Sequence, residues 1–195
     1  MTGLIILAAG SSSRLGQPKQ MLIYKGKSLL RHAVEEGIVS ECSPIVVVLG
    51  SNESGSREEI NSCPVQIVVN HNWEHGMSSS IKCGIEALLQ NQPDVSEAII
   101  MLCDQPFVDA GILNKLISKK HLIGKAIAAC RYDNTLGTPA LFDRGFFSQL
   151  LSLEGQQGAK KLLLSHSEHV EPVPFPLGNI DIDTLDDYEK LTNNS

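Results

Sequence analysis

Short, continuously apolar runs alternate along this chain with stretches whose apolar residues have helical spacing. Runs without polar alternation are typical of strands buried on both faces of a parallel sheet. The runs cover residues 4–8, 45–49, 65–69, 98–103 and 126–130. The helical patterns cover residues 28–39, 56–61, 77–90 and 110–121. This alternation predicts an α/β fold with a mostly parallel, Rossmann-like open sheet and helices on both faces.

The last third of the chain predicts smaller elements. A short strand is expected at 138–142, helices at 143–153 and 158–166, and a strand at 170–175. Prolines within 170–175 favour an edge strand, because proline cannot donate to a sheet ladder. The sequence Thr184-Leu185-Asp186-Asp187 resembles a capping box that opens a terminal helix. With no repeat and no long linker, residues 1–195 are predicted to form a single domain.

Composition narrows the class of protein. The 195 residues carry a net charge of −6 and no basic cluster, which argues against a nucleic-acid surface. No apolar run approaches the length of a membrane span, and Met1 leads directly into a strand, so we expect a cytoplasmic protein without a membrane partner. The five cysteines are scattered without a C-x-x-C pair and are expected to be reduced, and most of them buried.

The first strand leads into a loop of small residues that ends in two cations. Residues 7–19 read L-A-A-G-S-S-S-R-L-G-Q-P-K, which fits neither the Walker pattern nor G-x-G-x-x-G. Small residues let backbone N–H groups approach a polyphosphate, and Arg14 and Lys19 add charge. A plain surface turn is the alternative. The candidate nucleotide-binding residues here are Leu7, Ala8, Ala9, Gly10, Ser11, Ser12, Ser13, Arg14 and Lys19.

Two acidic positions are candidates for a magnesium site. Asp104 follows the most apolar strand, where a carboxylate needs a donor, water or a cation. Ligands of parallel sheets bind beyond the carboxyl ends of the strands, so Asp104 is expected to face the first loop. Asp181 is the second candidate ligand, with Asp183 or Thr184 capping the last helix. The alternatives are that Asp104 closes a turn and that the later acids are caps or solvated.

A second small-residue segment precedes the helix predicted at 77–90. Its residues Gly76, Met77, Ser78, Ser79 and Ser80 are candidates for binding the nucleotide at a helix N-terminus. Ordinary N-capping explains one serine easily and three less well. His71 and His75 have a spacing that could bind zinc, but their turn-like surroundings offer no third ligand, so no zinc site is expected. Trp73 is expected to be packed or lid-like.

Five ordered motifs resemble one family over nearly the whole chain. They are L-A-A-G-S-S-S-R-L-G-Q-P-K-Q-M-L at 7–22, G-M-S-S-S-I-K-C-G-I at 76–85, C-D-Q-P at 103–106, G-T-P-A-L-F at 137–142 and D-I-D-T-L-D-D-Y at 181–188. The chain resembles the MobA-like NTP transferases, and among them the molybdenum cofactor cytidylyltransferase branch of MocA-, CoxI- and PucB-like proteins. That resemblance implies a fold of the nucleotide-diphospho-sugar transferase type.

The resemblance also implies an activity. L-A-A-G with P-K looks like the CTP-using form, whereas guanylyl-transferring relatives typically carry L-A-G-G and D-K. The implied reaction joins CTP to the phosphate of molybdopterin, giving a cytosine dinucleotide cofactor and pyrophosphate. Gly10, Arg14 and Lys19 would hold the triphosphate, Ser79 and Ser80 would lie near the nucleotide, and Asp104 would bind Mg²⁺, with Arg14, Lys19 and Asp104 as the catalytic group. Asp181 is a less secure ligand. A molybdenum hydroxylase of the xanthine dehydrogenase type would receive the product.

Two departures from the family pattern stand out. Relatives commonly read G-D-x-G-A-R where this chain has Gly155-Gln156-Gln157-Gly158-Ala159-Lys160, so Gln156 replaces a carboxylate. Relatives also often have D-I-D-T-P-E-D-Y, against Leu185 and Asp186 here. The change at Gln156 keeps open a non-catalytic chaperone for the molybdenum cofactor. A nucleotidyltransferase acting on another small phosphate is the third interpretation.

Overall fold

The computed structural model describes residues 1–12 and 15–193. Nine strands are formed by these residues: β1 (Thr2–Ala8), β2 (Ile23–Tyr24), β3 (Lys27–Ser28), β4 (Ile45–Leu49), β5 (Gln66–Val69), β6 (Glu97–Leu102), β7 (Ile127–Tyr132), β8 (Thr135–Asp143) and β9 (Val170–Pro174). The α-helices are α1 (Leu29–Val39), α2 (Glu53–Ile60), α3 (Met77–Asn91), α4 (Ala110–Ile123), α5 (Phe147–Leu151), α6 (Lys160–Ser165) and α7 (Leu185–Asn193).

Seven of the strands form one sheet, in the order β5-β4-β1-β6-β8-β7-β9. Only β8 runs antiparallel to its neighbours β6 and β7, and the remaining pairs are parallel. The predicted mostly parallel sheet is therefore confirmed. Strand β9 lies at the end of the order with Pro172 and Pro174 in it, which confirms the predicted edge position.

Both faces of the sheet are covered by helices, as the apolar runs predict. In β1, Leu4 and Ile6 pack on one face with the buried residues of α1 and α4. Ile5 and Leu7 pack on the other face with the buried residues of α3. Strands in this position must be apolar at every residue, because alternate side chains enter two separate cores.

Several predicted elements differ in the structure. The helix expected at 143–153 is a 3₁₀ turn at Arg144–Phe146 followed by the five-residue α5. The short strand expected at 138–142 is the nine-residue β8, which forms a hairpin with β7. Asp133 and Asn134 make the two-residue turn with φ of 44° and 58°, values that Asp and Asn adopt more readily than most residues. The turn signal was present in the sequence and was missed.

The pairing of β1 with β6 determines where the first loop lies. Leu7 is in register with Leu102, and the Cys103 N–H donates to the Leu7 carbonyl at 3.2 Å. The two strands therefore end together, and the segments that follow them leave the sheet side by side. None of the described helices combines the length and the apolar character that crossing a bilayer requires.

Close packing of α3 on the sheet depends on a glycine. A Cβ atom at Gly84 would lie 2.5 Å from Ile5 Cγ2 in the fully buried β1. We expect Gly84→Val to lower the free energy of unfolding by about 1–3 kcal/mol, since overpacked cores must shift backbone or rotamers. Urea unfolding measures this change. Gly145→Ala is the matched control, because a Cβ there meets nothing within 4 Å; equal midpoints for both variants would contradict the packing argument.

Candidate functional site

A cavity of about 400 Å³ opens where β1 and β6 end. Its walls come from the loop after β1, the segment after β6, the N-terminus of α3 and one residue of the loop before α6. The lining residues are Leu7, Ala8, Ala9, Gly10, Ser11, Lys19, Gln20, Trp73, Glu74, Gly76, Met77, Ser80, Leu102, Cys103, Asp104 and Gln156. A cavity of this size suits a small molecule rather than a macromolecule.

Two carbonyl groups of the loop after β1 accept hydrogen bonds from Ser51, which does not line the cavity. Ser51 donates its backbone N–H to the Ala9 carbonyl at 3.1 Å and its hydroxyl to the Gly10 carbonyl at 2.8 Å. Among residues 1–12 and 15–193, no hydrogen bond is recorded from the N–H of Gly10 or Ser11. The loop can therefore offer N–H donors to an anion. Ser51 carried no signal in the sequence that marked it as part of this site.

Lys19 lines the cavity and links three segments of the chain. Ser12 accepts a hydrogen bond from the Lys19 N–H at 2.9 Å, which fixes the backbone from which the side chain extends. The Lys19 ammonium donates to Asp104 Oδ2 and, at 3.1 Å, to Asp183 Oδ1. One lysine thus joins the first loop to the segment after β6 and to the segment before α7.

The ion pair is held away from bulk water. Asp104 is only 5% exposed. Burial lowers the pKa of Lys19, but the charge of Asp104 and the hydrogen bonds to Asp104 and Asp183 outweigh it and raise that pKa above its usual value. Lys19 is therefore a permanent cation in the cavity.

Asp181 lies next to this ion pair. The Ile182 N–H donates to the Asp104 carbonyl at 3.1 Å, which brings the 181–183 segment against the end of β6. Asp181 keeps contact with solvent, but desolvation by the surrounding protein, followed by the charges of Asp104 and Asp183, raises its pKa to about 6. Asp181 also lines a neighbouring cavity of about 300 Å³ between Tyr24, Phe107 and α7.

Thr184 and Asp187 cap the last helix. The Asp187 N–H donates to Thr184 Oγ1 at 3.2 Å, and Asp187 Oδ2 accepts from the Thr184 N–H at 2.9 Å. This reciprocal pair is the predicted capping box. Thr184 therefore fills the capping position, and Asp183 is directed to Lys19 instead.

The carboxylates fit a hard divalent cation. Asp104 Oδ1 is buried and has no hydrogen-bond partner in the described part of the chain. The other buried lysine–acid pair of the fold, Lys120 with Glu97, differs in this respect, because Glu97 Oε1 and Oε2 both have partners: Thr2 and His121 contact Oε1, and Lys120 and His121 contact Oε2. An unpartnered carboxylate oxygen on an aspartate whose charge, with that of Asp183, acts on Asp181 has the donor chemistry that Mg²⁺ or Mn²⁺ binds.

The residue that caps the N-terminus of α3 is a glycine and not a serine. Gly76, with φ of 98°, occupies the capping position and makes no side-chain hydrogen bond, so the serines belong to the first helical turn. Ser80 lines the cavity, whereas Ser78 and Ser79 line a different one. Ser79 accepts from Asn70 Nδ2 at 2.8 Å and donates to the Gly76 carbonyl at 2.8 Å, which orders the turn before the helix. The alternative that the serines are ordinary N-caps is wrong.

Gln156 lies in the wall opposite the first loop. The Ser78 N–H donates to the Gly155 carbonyl at 3.2 Å, and a Cβ at Gly76 would lie 2.4 Å from that carbonyl oxygen and 3.0 Å from Gln156 Cδ. The glycine at 76 therefore permits close contact between α3 and the loop that carries Gln156. The residue that departs from the family pattern is a cavity residue.

The candidate residues named from sequence have three outcomes. Leu7, Ala8, Ala9, Gly10, Ser11, Lys19, Gly76, Met77, Ser80 and Asp104 line one cavity. Ser12 accepts a hydrogen bond from the lining residue Lys19, and Asp181 interacts electrostatically with the lining residue Asp104. Ser78 and Ser79 line a different cavity. Ser13 and Arg14 lie outside the described residues. Trp73 is half-buried at the cavity wall.

Cysteine contributes no nucleophile at this site. Burial raises the pKa of Cys103, next to Asp104, to about 12, and it raises the pKa of Cys130 to about 12 as well. Both thiols stay protonated near neutral pH and act as small apolar side chains. Cys83 is only partly buried, whereas the sequence predicted that it would be buried.

Several characterised proteins are similar to this chain. It is 34% identical to nicotine blue oxidoreductase of Paenarthrobacter nicotinovorans over 142 residues, which cover 72% of this chain and 66% of that protein. It is 28% identical to purine catabolism protein PucB of Bacillus subtilis, with 96% of this chain and 94% of PucB covered. The molybdenum cofactor cytidylyltransferase of Escherichia coli is 25% identical, with 94% and 92% covered. The chain thus spans just under two thirds of the first relative.

Solved structures show the same architecture. Rv0371c of Mycobacterium tuberculosis H37Rv superposes with a TM-score of 0.85 at 30% identity, covering 98% of this chain and 97% of that one. A complex of Rv0371c with manganese has a TM-score of 0.81 at 27% identity, with 100% and 99% covered. CMP:2-keto-3-deoxy-manno-octonic acid synthetase, solved with CTP, shares the fold at 12% identity, a TM-score of 0.76 and 99% and 97% coverage.

Family membership follows from the sequence as a whole. Residues 4–170 match the MobA-like NTP transferase domain, a region that runs from the first strand to the start of the edge strand β9. The cavity, the lysine and the buried aspartate all lie within it. The chain therefore belongs to the family of MobA-like NTP transferase domains.

Proposed function

We propose that the protein transfers a cytidylyl group from CTP to the terminal phosphate of molybdopterin, with Mg²⁺ as the metal. A phosphate oxygen of the acceptor attacks the α-phosphorus of CTP, the bond to the β-phosphate oxygen breaks, and pyrophosphate leaves. The products are the cytosine dinucleotide cofactor and pyrophosphate. The chain acts as one transferase domain on small molecules, and a molybdenum hydroxylase of the xanthine dehydrogenase type is the proposed recipient of the cofactor.

One observation carries the proposal: a permanent lysine cation pairs with a buried aspartate that has an unpartnered oxygen, and both line a cavity beside a small-residue loop. Nucleotidyl transfer between phosphates needs positioning and charge neutralisation more than a covalent protein intermediate. The similarity to a protein named nicotine blue oxidoreductase means that likeness alone does not determine the reaction. The charges in the cavity are what favour phosphate chemistry here.

In this proposal, each group in the cavity binds a different part of the nucleotide. The loop N–H groups at Gly10 and Ser11 bind triphosphate oxygens, and Lys19 turns from Asp104 toward the phosphates and neutralises charge on the departing pyrophosphate. Ser80 and the N-terminus of α3 face the remainder of the nucleotide. Arg14 is proposed as a second phosphate-binding cation. Trp73 and Glu74 also line the cavity.

Asp104 and Asp181 would hold the metal, with Asp183 as a further oxygen donor close to Lys19. When bound, Mg²⁺ would neutralise phosphate charge and align the triphosphate with the acceptor. The manganese complex of Rv0371c supports a metal-dependent site in a similar fold.

A non-catalytic chaperone for the molybdenum cofactor is the second candidate. Gln156 supports it, because an amide stands in the cavity wall where relatives commonly have a carboxylate. The test combines the protein with Mg²⁺, CTP and molybdopterin and measures pyrophosphate. Release with turnover supports transfer, whereas binding of either substrate without release supports the chaperone. A nucleotidyltransferase that acts on another small phosphate would release pyrophosphate only with that acceptor.

Replacement of the central ion pair should abolish efficient turnover. We expect Lys19→Ala and Asp104→Ala each to lower the rate of pyrophosphate release by about 10²–10³-fold, because each removes charge stabilisation from the transition state. Lys27→Ala is the control for Lys19→Ala, since Lys27 pairs with Glu35 at the surface and its loss changes the net charge by the same amount. Wild-type rates in Lys19→Ala or Asp104→Ala would refute the assigned roles.

The nucleotide preference can be ranked without the acceptor. A ligand that binds only the native state stabilises it by about 2.7 kcal/mol at a hundred times its dissociation constant. We expect CTP with Mg²⁺ to raise the melting temperature more than GTP or ATP at equal concentration. A larger shift with GTP would replace the cytidylyl assignment by a guanylyl one.

The raised pKa of Asp181 makes stability depend on pH. A carboxyl with a folded pKa of about 6 binds its proton more tightly in the native than in the unfolded state, so stability falls as pH rises through this range. Asp181→Asn removes that penalty. We therefore expect the stability advantage of the metal-free variant over wild type to grow from about pH 4 to about pH 7 and to stay constant above that, as measured by urea unfolding. Parallel pH profiles for the two proteins would contradict this account.

A further inference from the structure

Two histidines and a glutamate gather at the start of the edge strand, away from the cavity. One potential ligand atom each from His166, Glu168 and His169 lies within 4.8 Å of the others. Within residues 1–12 and 15–193, no other group of three metal-ligating side chains is this compact. We propose that these three side chains form a binding site for a divalent transition metal of the zinc class.

The backbone holds the three residues in one turn. His166 follows α6, and residues 167–169 form a 3₁₀ turn in which the His169 N–H donates to the His166 carbonyl at 2.8 Å. The next residue, Val170, is buried, pairs with Ile127 of β7, and accepts a hydrogen bond from Lys125 at 3.0 Å. Both ends of the turn are thus anchored, so a metal would not have to order the backbone.

His166 is oriented in the way that metal-binding histidines commonly are. Its Nε2 lies 2.8 Å from Oε1 of Gln149, and its ring meets Phe146 edge to face with centroids 5.2 Å apart. An amide oxygen can only accept, so Nε2 carries the proton and Nδ1 keeps a free lone pair. A ligating histidine typically donates its other N–H to an oxygen in this manner.

The other two ligands are mobile enough to close on an ion. The side chains of Glu168 and His169 are 66% and 57% exposed, and His169 Nε2 lies 3.5 Å from Glu168 Oε1. Ligand atoms around a tetrahedral zinc are about 3.4 Å apart, given bonds of about 2.0–2.2 Å. Side-chain rotations that shorten these separations by up to about 1.4 Å therefore suffice, and a water molecule would complete the coordination.

The donor set separates this site from the aspartates of the cavity. Imidazole nitrogen suits Zn²⁺, Co²⁺, Ni²⁺ and Cu²⁺, whereas Mg²⁺ prefers oxygen. The two sites also lie at opposite ends of the parallel strands, because Val170 begins β9, which runs in the same direction as β6, while the cavity opens where β1 and β6 end. Zinc can thus bind here without displacing the metal of the proposed reaction.

Calorimetric titration of the untagged protein with Zn²⁺ tests the site, with excess Mg²⁺ present to occupy the aspartates. We expect one equivalent to bind to wild type, and His169→Ala and Glu168→Gln each to weaken that binding at least tenfold. Gln149→Ala should weaken it about tenfold through the lost orientation of His166. His71→Ala, which removes an exposed histidine elsewhere, should bind as wild type does.

Two results would overturn the proposal. One is a wild-type protein that binds no zinc under these conditions, and the other is unchanged zinc affinity in both His169→Ala and Glu168→Gln. Because His169 and Glu168 are exposed, their variants should fold, and circular dichroism verifies this. The outcome is independent of the proposed transfer reaction, since pyrophosphate release is measured with the Mg²⁺ site alone.

Discussion

A lysine ammonium held between carboxylates, beside a carboxylate oxygen that lacks a partner, is the interaction on which the proposed chemistry depends. Lys19 stabilises charge on Asp104 that would otherwise be costly to bury. The same pair leaves Asp104 Oδ1 unsatisfied, which a purely structural ion pair such as Lys120 with Glu97 does not do. An arrangement that is electrostatically incomplete without a ligand is typical of binding sites rather than of cores.

The sheet makes that interaction possible. Parallel pairing of β1 with β6 places Leu7 opposite Leu102, so the first loop and Asp104 must emerge next to one another. The 181–183 segment reaches the same place from the far end of the chain, through the hydrogen bond from Ile182 to Asp104. Three segments separated in sequence by more than seventy residues thus bring Lys19, Asp104 and Asp183 together. A shift in register between β1 and β6 would separate them, which is why apolar packing on both faces of β1 also serves the site.

The two proposed metal sites show how one fold can keep different ions apart. Aspartate oxygens beside a lysine cation attract phosphate together with a hard metal ion. Two imidazoles with one carboxylate, at the opposite end of the parallel strands, suit a softer ion. Neither site depends on the other for its geometry, since the turn at residues 167–169 is anchored by α6 and by the edge strand.

Much of this protein could be predicted from residue order alone. Continuous apolar runs identified the parallel strands because burial on both faces leaves no polar positions, and Asp104 stood out as a carboxylate after such a run.

Other features depend on contacts between distant segments. The Asp133–Asn134 turn signals the β7–β8 hairpin locally, but the antiparallel pairing of β8 with β6 depends on distant contacts. Helix α5 is shorter than its local apolar spacing predicts. Tertiary structure also decided three contacts of the site. Asp183 pairs with Lys19, and Ser51 supports the loop after β1. Ser78 and Ser79 line a different cavity from Ser80. Sequence records which groups can donate or accept, but only the folded chain determines which of them meet.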